Sequence, residues 1–415
     1  MTDHPALLLH GPVVLDPETG TELGDALLVD PDGTVAAVGS RADVMETLPG
    51  TDPPPREVRA TGYALPGLIN MHVHLGLALP GAMSQGWDTE DDAQTVLVMA
   101  DSAARTLRAG VTTARLVGES RYLDMTLRAA IRRGAVPGPR LFTAGHALCC
   151  TGGHGWEADA LEADGADGFA RATRLQLRAG ADLVKVCISG GIAGEHEDID
   201  TPQLTDAELA AVIDTAHAWG KQVTAHAGSS ETVRAALALG LDGVEHGYSL
   251  DEETIAMMVE RGTWYVPTIS VSRCRDFFEL HEVPQWMIDR ALSAGPEHWA
   301  TLQRAVAAGV RIVMGSDMPP YAPFEGTTAT VREMELMQEA GMSAREVLRS
   351  ATSRAAEWLG APGLGRLLPG SPADLVLIED DPSTDVSALR GLRAVVSGGR
   401  VVRDDHDELG AWGTT

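Results

Sequence analysis

Two histidines after a short apolar run, His72 and His74, have the residue type and the spacing to bind a metal ion. The run starts at Pro66-Gly67 and is typical of a buried strand. Because side chains alternate between the two faces of a strand, residues two apart lie on the same face. Imidazole is the commonest metal-binding side chain. An isolated pair of this kind is equally compatible with two structural histidines, so the interpretation depends on the residues downstream.

Four further residues that suit metal chemistry follow later apolar segments. They are Lys185, His226, His246 and Asp317. Imidazole nitrogens and carboxylate oxygens are the donors that divalent ions such as zinc bind. His72, His74 and Asp317 therefore have the donors for one divalent ion. His226 and His246 have the donors for a second ion.

Lys185 lies on the same face of its strand as Leu183 and Cys187, whereas Val184 and Val186 form the other face. This pattern predicts that Lys185 points inward. Burial and two neighbouring cations would favour the neutral amine. A neutral lysine amine can add CO2 to form a carbamate, which is an anionic oxygen donor able to bridge two metal ions. The alternative is a lysine whose charged end reaches solvent at the end of the strand.

The segments that position these residues alternate between apolar strands and amphipathic helices. The predicted strands are Leu68–His74, Val111–Val117, Arg140–Ala144, Leu183–Ser189, Gln222–His226, Gly243–His246, Thr263–Ile269 and Arg311–Ser316. Eight βα units over about 250 residues predict a (β/α)8 TIM barrel, which we assign to residues 63–360. Active sites of such barrels lie at the carboxyl ends of the strands, where the candidate ligands lie.

Both ends of the chain are rich in short strands and turns. We assign residues 1–62 and 361–415 to one small β-sandwich domain formed by the two termini. Within the first segment, Asp30-Pro31-Asp32-Gly33 between two apolar stretches predicts a β-hairpin.

Composition excludes several classes of protein. The formal net charge of −27 disfavours nucleic acid and membrane surfaces as partners. The sequence has neither a signal-peptide pattern nor an apolar stretch long enough to span a membrane, and its four cysteines do not form a disulfide pattern. We therefore expect a cytoplasmic protein with a small-molecule substrate, assembled as a homo-oligomer.

The motifs at the strand ends resemble those of the amidohydrolase superfamily, close to its imidazolonepropionase-related and Xaa-Pro or Xaa-Arg dipeptidase (prolidase-like) branch. The motifs are Asn70–His74, Val184–Gly191, Ala225–Ala227, Glu245–Gly247, Gly315–Asp317 and Leu367–Leu375. They occur in the family's order and extend over nearly the whole chain.

This resemblance implies a metal-dependent hydrolase of amide bonds. Its cofactors would be two divalent metal ions, usually zinc, bridged by a hydroxide and by a CO2-derived carbamate on Lys185. The hydroxide would attack the scissile carbonyl. Asp317 would be both a metal ligand and the general acid/base that passes the proton to the leaving nitrogen.

The resemblance also suggests a substrate. In the similar dipeptidases a loop histidine and a nearby tyrosine hold the free α-carboxylate of the substrate, and His154 and Tyr248 stand at the matching positions. We therefore expect a dipeptide or an N-acyl amino acid with a free carboxylate. Trp156 departs from the family pattern, which often has an aspartate there, and a carbamate or ester substrate stays open.

Two other readings use the same scaffold. A deaminase or an imidazolonepropionase-like hydrolase of cyclic amides typically uses one metal and lacks the strand lysine. The presence of Lys185, and of Ala-Gly-Ser-Ser after His226, favours the binuclear hydrolase. A scaffold without metals would lack ligands, and none is missing. His196, in an acidic segment, is interpreted as part of a solvated surface or lid, and Tyr265 is a stronger site candidate than His196, because aromatic residues are only 4% of this chain.

Overall fold

The computed structural model describes residues 6–48, 54–76, 78–84 and 91–410. The first part of the chain forms strands and one short helix. They are β1 (Leu7–Asp16), β2 (Thr21–Val29), β3 (Val35–Gly39), α1 (Arg41–Glu46), β4 (Arg56–Arg59) and β5 (Tyr63–Pro66). Strands β2 and β3 pair antiparallel, which confirms the predicted hairpin.

The middle of the chain contains the parallel strands. They are β6 (Leu68–Val73), β7 (Val111–Leu116), β8 (Arg140–Thr143), β9 (Ala147–Cys149), β10 (Ala160–Glu162), β11 (Val184–Cys187), β12 (Val223–Ser229), β13 (Gly243–Ser249), β14 (Trp264–Val266) and β15 (Arg311–Ile312). Each of the eight predicted strands is present, and β9 and β10 are additional. A short antiparallel pair follows, formed by β16 (Pro323–Phe324) and β17 (Thr327–Thr328).

Helices cover most connections between these strands. They are α2 (Asp92–Arg108), α3 (Leu123–Arg132), α4 (Gly165–Ala179), α5 (Asp206–Ala218), α6 (Ser230–Ala238), α7 (Glu252–Arg261), α8 (Arg275–Leu280), α9 (Gln285–Ala308), α10 (Ala329–Glu339), α11 (Ala344–Ser350) and α12 (Ser353–Trp358). The last two are separated by Ala351 and Thr352. The helix is interrupted because the Ser350 and Ala351 carbonyls accept hydrogen bonds from the Met314 and Ile69 N–H groups.

The parallel strands form two sheets, with the orders β6-β7-β8 and β10-β9-β11-β12-β13-β14-β15. Backbone hydrogen bonds connect the two sheets at both margins. Asp182 N–H donates to the Thr143 carbonyl in β8 over 2.8 Å, and Met71 N–H in β6 donates to the Met314 carbonyl beyond β15 over 2.9 Å. The fold is therefore α/β with parallel sheets, whose carboxyl ends lie at one edge.

The two ends of the chain meet in one eight-stranded sheet. Its C-terminal strands are β18 (Leu375–Ile378), β19 (Leu392–Ser397) and β20 (Arg400–Asp404). The sheet order is β20-β19-β18-β5-β1-β2-β3, with β4 paired to β1. One face packs around an apolar cluster that includes Leu7, Leu27 and Leu375. Among the described helices, none combines the length and the apolar character needed to cross a bilayer.

Candidate metal centre

His72, His74 and Asp317 come together at the carboxyl ends of β6 and β15. His72 Nε2 lies 3.2 Å from His74 Nε2 and 3.2 Å from Asp317 Oδ1, and His74 Nε2 lies 3.4 Å from the same carboxylate oxygen. The potential ligand atoms of the three residues lie within 4.8 Å of one another. Two imidazole nitrogens and a carboxylate oxygen at these separations fit the donor preferences of a divalent ion such as zinc.

Asp317 reaches this position through a left-handed backbone conformation, with φ at 50°. Its N–H donates to the His72 carbonyl over 2.9 Å, which fixes it against β6. Asn70 reinforces the junction because its side-chain oxygen accepts from the N–H groups of His72 and Ser316. A positive φ at a residue other than glycine is costly and persists only where the surroundings enforce it.

His226 and His246 form the other side of the same pocket. Their ring centroids are 4.6 Å apart, and the His246 ring is 4.9 Å from that of His72. His226 Nε2 lies 2.9 Å from the Gly190 carbonyl, and His246 Nδ1 lies 2.7 Å from Thr268 Oγ1. His226 Nδ1 and His246 Nε2 are therefore the nitrogens left for a ligand.

Lys185 is buried in β11 and lines this pocket with the four histidines. Strand β11 pairs with β12, which places Lys185 opposite Thr224 and Cys187 opposite His226. Cys187 lines the pocket as well, which agrees with the predicted alternation. The geometry therefore brings all six predicted metal ligands into one cavity.

A carboxylate that the sequence analysis did not select lies behind His72. Glu245 Oε2 is 2.8 Å from His72 Nδ1, and Glu245 Oε1 accepts from Arg115 Nη2 over 2.5 Å. Burial raises the pKa of Glu245, but Arg115 and His72 outweigh it and hold the pKa well below its ordinary value. Such a carboxylate orients a metal-binding imidazole and increases its basicity.

Regular alternation would direct Glu245 and His246 to opposite faces of β13. Instead, His246 has a φ of 65°, and its carbonyl accepts from Tyr265 Oη over 2.8 Å and from His298 Nε2 over 3.1 Å. This turn allows both neighbouring side chains to reach the interior. Tyr265 thus supports the backbone of His246, while Tyr248 is the tyrosine that lines the pocket.

Asp159 is a second carboxylate that the sequence analysis missed. Its Oδ2 lies 3.3 Å from His74 Nδ1, which is also 2.8 Å from the Gly118 carbonyl. Burial lowers the pKa of His74, but the hydrogen bond and charge of Asp159 outweigh it and raise the pKa to about 9. Asp159 lies three residues beyond Trp156, whose side chain is half exposed and does not line the pocket.

The two predicted substrate contacts also line the pocket. The His154 ring stacks on His226 with centroids 4.0 Å apart, and the Tyr248 ring stacks on His246 at 5.5 Å. His154 Nδ1 lies 2.5 Å from Glu197 Oε1. In the acidic segment, His196 is exposed, whereas the neighbouring Glu197 contacts His154.

Comparison with known proteins identifies the family of this chain. The sequence profile of the amidohydrolase family matches residues 63–402. The chain is 29% identical to an ochratoxinase of Aspergillus niger, over 96% of this chain and 87% of that protein. It is similar to the structure of a Xaa-Pro dipeptidase with bound methionine, with 28% identity and a TM-score of 0.82 over 96% of this chain and 100% of that one.

A prolidase complexed with N-methylphosphonate-L-proline is similar over 96% of this chain and 100% of its own, with 27% identity and a TM-score of 0.85. The family profile and the prolidase-like neighbours agree with the resemblance inferred from the strand-end motifs. The chain therefore belongs to the amidohydrolase family, in its prolidase-like branch, and is a hydrolytic enzyme.

Proposed function

We propose that the chain is a binuclear metal-dependent hydrolase of an amide bond whose leaving nitrogen belongs to an amino acid with a free carboxylate. The observation that carries this proposal is the convergence of four histidines, Asp317 and Lys185 in one pocket. The alternative mononuclear chemistry gives no role to a lysine buried among histidines.

The scaffold we propose is a (β/α)8 barrel over residues 63–360 and a β-sandwich over 1–62 and 361–415. The two parallel sheets hydrogen-bond to each other at both margins, as the closure of a barrel requires. Backbone hydrogen bonds from Val35 N–H to the Ser371 carbonyl and from Gly370 N–H to the Val35 carbonyl, each over 2.8 Å, join the two terminal segments, which supports the two-segment domain.

We propose that this pocket holds two divalent ions, and that both are zinc. His72, His74 and Asp317 would hold one, and His226 and His246 the other, with a carbamate on Lys185 between them. When bound, such ions make hydroxide available from water near neutral pH and polarise a carbonyl. Each histidine already has its other nitrogen hydrogen-bonded, which fixes the ring for a ligand.

In the reaction we propose, Asp317 moves the proton. Its carboxylate lies beside the histidine nitrogens at the base of the pocket. Burial raises the pKa of Asp317, but His72 and His74 outweigh it and keep the pKa below its ordinary value, so the carboxylate is ionised near neutral pH. It would take the proton from the attacking water and deliver it to the leaving nitrogen as the C–N bond breaks.

His154 and Tyr248 would bind the substrate carboxylate. Glu197 and Gln203 hold His154, since Glu197 faces Nδ1 and Gln203 Oε1 accepts from the His154 N–H over 2.9 Å. This arrangement directs His154 Nε2 away from the acidic segment. The similarity to a Xaa-Pro dipeptidase and to a prolidase supports a substrate that carries such a carboxylate.

The test compares a cleaved N-acyl amino acid with its C-terminal amide. Losing the charge-assisted hydrogen bonds should reduce kcat/KM by about 10-fold to 100-fold, since about 1.4 kcal/mol corresponds to a factor of ten. In His154→Ala the acid and the amide should react at similar rates. Equal rates for acid and amide in the wild type would exclude the carboxylate contact and leave a broader amidase, esterase or carbamate hydrolase.

A further inference from the structure

One wall of the pocket contains five large apolar side chains. It is formed by Leu79, Val271, Phe278, Met287 and Met318, which we call the apolar wall. Its last four members are each less than 5% exposed and belong to the main hydrophobic core. The wall is therefore a fixed surface, continuous with the protein interior.

The chain topology explains how the wall forms. Leu79 lies in the loop after β6, Val271 and Phe278 lie between β14 and α9, and Met318 directly follows Asp317. Ala82 N–H donates to the His281 carbonyl over 2.7 Å, which attaches the loop after β6 to the end of α8. Four of the five wall residues thus follow β6, β14 or β15. Met287 lies in α9, whose Arg290 donates to the Gly191 and Glu195 carbonyls in the segment after β11.

His154 lies on the other side of the metal ligands. It contacts the segment after β11 through Glu197 and stacks on His226 of β12. A substrate whose carboxylate is bound at His154, and whose carbonyl lies over the metal ligands, would extend its acyl group toward the apolar wall. The three parts of such a substrate would occupy the pocket in that order.

Charge restricts what the wall can accept. None of its five residues is charged, and the described carboxylates that line the pocket, Asp159 and Asp317, face His74 and His72. A charged acyl group would be buried without a partner, which is costly, whereas an apolar group would gain from burial.

From this arrangement we infer that the substrates are amino acids acylated by a bulky, uncharged, apolar group, and that Phe278 selects that group. The inference rests on the proposed function for the orientation of the substrate. It extends that function by naming the acyl side of the scissile bond, which the catalytic residues leave undefined.

The first test needs no variant. It measures kcat/KM of the metal-loaded enzyme for one amino acid carrying acetyl, hexanoyl, phenylacetyl, succinyl or 4-aminobutyryl groups. Burial of one methylene corresponds to about a 4-fold gain, so hexanoyl and phenylacetyl should exceed acetyl by about 10-fold or more. Both should exceed the charged succinyl and 4-aminobutyryl groups. Equal rates across the series, or a preference for a charged group, would overturn the inference.

The second test uses adjacent phenylalanines. Phe278→Ala should remove most of the preference for hexanoyl over acetyl. Phe277→Ala is the matched control, because Phe277 is buried in the same helix but does not line the pocket. Its loss should affect stability without changing the acyl preference. If both variants change the preference equally, the wall does not select the acyl group.

Equilibrium binding separates this inference from the proposed function. Calorimetry with acetate, butyrate and hexanoate on the metal-loaded enzyme should show affinity rising with chain length in the wild type and in Phe277→Ala, but not in Phe278→Ala. If no acylated amino acid is hydrolysed while this trend holds, the proposed function fails and the wall still binds apolar groups. Equal affinities for the three acids would overturn the inference whether or not amides are cleaved.

Discussion

The two sides of the pocket hold their histidines in different ways. On the side of β6, carboxylates lie behind the imidazoles, since Glu245 faces His72 and Asp159 faces His74. On the side of β12 and β13, the partners are neutral oxygens, the Gly190 carbonyl for His226 and the Thr268 hydroxyl for His246. We call these the β6 side and the β12 side.

The difference concerns charge. The β6 side contains its own anions, including Asp317, and provides three converging donors without any modification. The β12 side has two imidazoles and Lys185, and burial together with neighbouring positive groups lowers the pKa of His226 and His246 well below the ordinary value. The β12 side therefore provides neutral donors and needs an added anion, which a carbamate on Lys185 would supply. We expect the β6 side to bind metal more tightly.

The largest effect should come from Asp317→Asn, which removes the proton carrier from the β6 side. We expect kcat to fall by about 10²–10⁴-fold, the usual contribution of general acid–base catalysis. Metal content should stay substantial because the histidines remain. Steady-state kinetics and elemental analysis on the same sample check both points. Near-normal turnover would show that another group moves the proton.

Lys185→Ala should affect the β12 side selectively. Without the bridging anion, the second ion would keep only His226 and His246 as donors and should be lost first, while the first ion stays bound by His72, His74 and Asp317. Short carboxylic acids such as acetate should restore part of the activity. Cys187→Ala is the matched control, because Cys187 lines the pocket on the same strand without being a predicted ligand. Loss of both ions together in Lys185→Ala would contradict the division into two sides.

A third prediction compares the partners behind the histidines. Glu245→Gln should weaken metal binding on the β6 side by about 10- to 100-fold, as is usual for such partners. Thr268→Val should have a smaller effect, since it removes a neutral hydrogen bond from the β12 side. Metal affinities of the two variants, measured by competition with a chelator, test this order.

The Glu245 variant requires its own control. Glu245 also neutralises the buried Arg115, and an unpaired buried charge destabilises a protein by about 3–5 kcal/mol. The double variant Arg115→Met with Glu245→Gln removes that charge. If metal affinity returns to normal in the double variant, the single variant acted through stability alone, and Glu245 has no role at His72.

The smallest effect on turnover should come from Glu333, which supports the β12 side from behind. It accepts hydrogen bonds from the N–H groups of Ile269 and Ser270, in the segment that begins with Thr268. Burial raises the pKa of Glu333 from 4.5 to about 7, although these hydrogen bonds oppose the shift. Between those pH values the folded protein binds more protons than the unfolded chain, so stability should fall as pH rises through this window.

The contribution of Glu333 to this fall should not exceed about 1.4 kcal/mol per pH unit, the value for one proton. Urea unfolding of the metal-free protein at pH 5, 6, 7 and 8 measures it. Glu333→Gln should make the profile less steep between pH 5 and 7, while Asp124 and Glu119, whose pKa values burial also raises, keep part of the slope. An unchanged profile in this variant would assign the pH dependence to other buried carboxyls.

The sequence predicted the parts of this pocket that depend on local pattern. Apolar strands separated by helices were recognisable, and polar residues at their ends identified the six candidate ligands. The substrate contacts His154, in a loop, and Tyr248, in β13, needed family resemblance, because spacing along the chain assigns them no role.

The supporting carboxylates could not be predicted in the same way. Glu245 reaches His72 because the backbone of His246 is left-handed, which breaks the alternation on which sequence reasoning relies. Asp159 and Glu197 lie in irregular segments, where spacing along the chain says nothing about distance in space. Their positions depend on the packing of loops from different strands.

The most direct test of the two-sided centre is a metal titration of the metal-free enzyme, with elemental analysis and activity measured at each step. We predict two ions per chain, the first bound without CO2 and with little activity, and the second dependent on bicarbonate and on Lys185. Full activity with one ion per chain, or two ions bound equally well by wild type and Lys185→Ala without bicarbonate, would contradict this account.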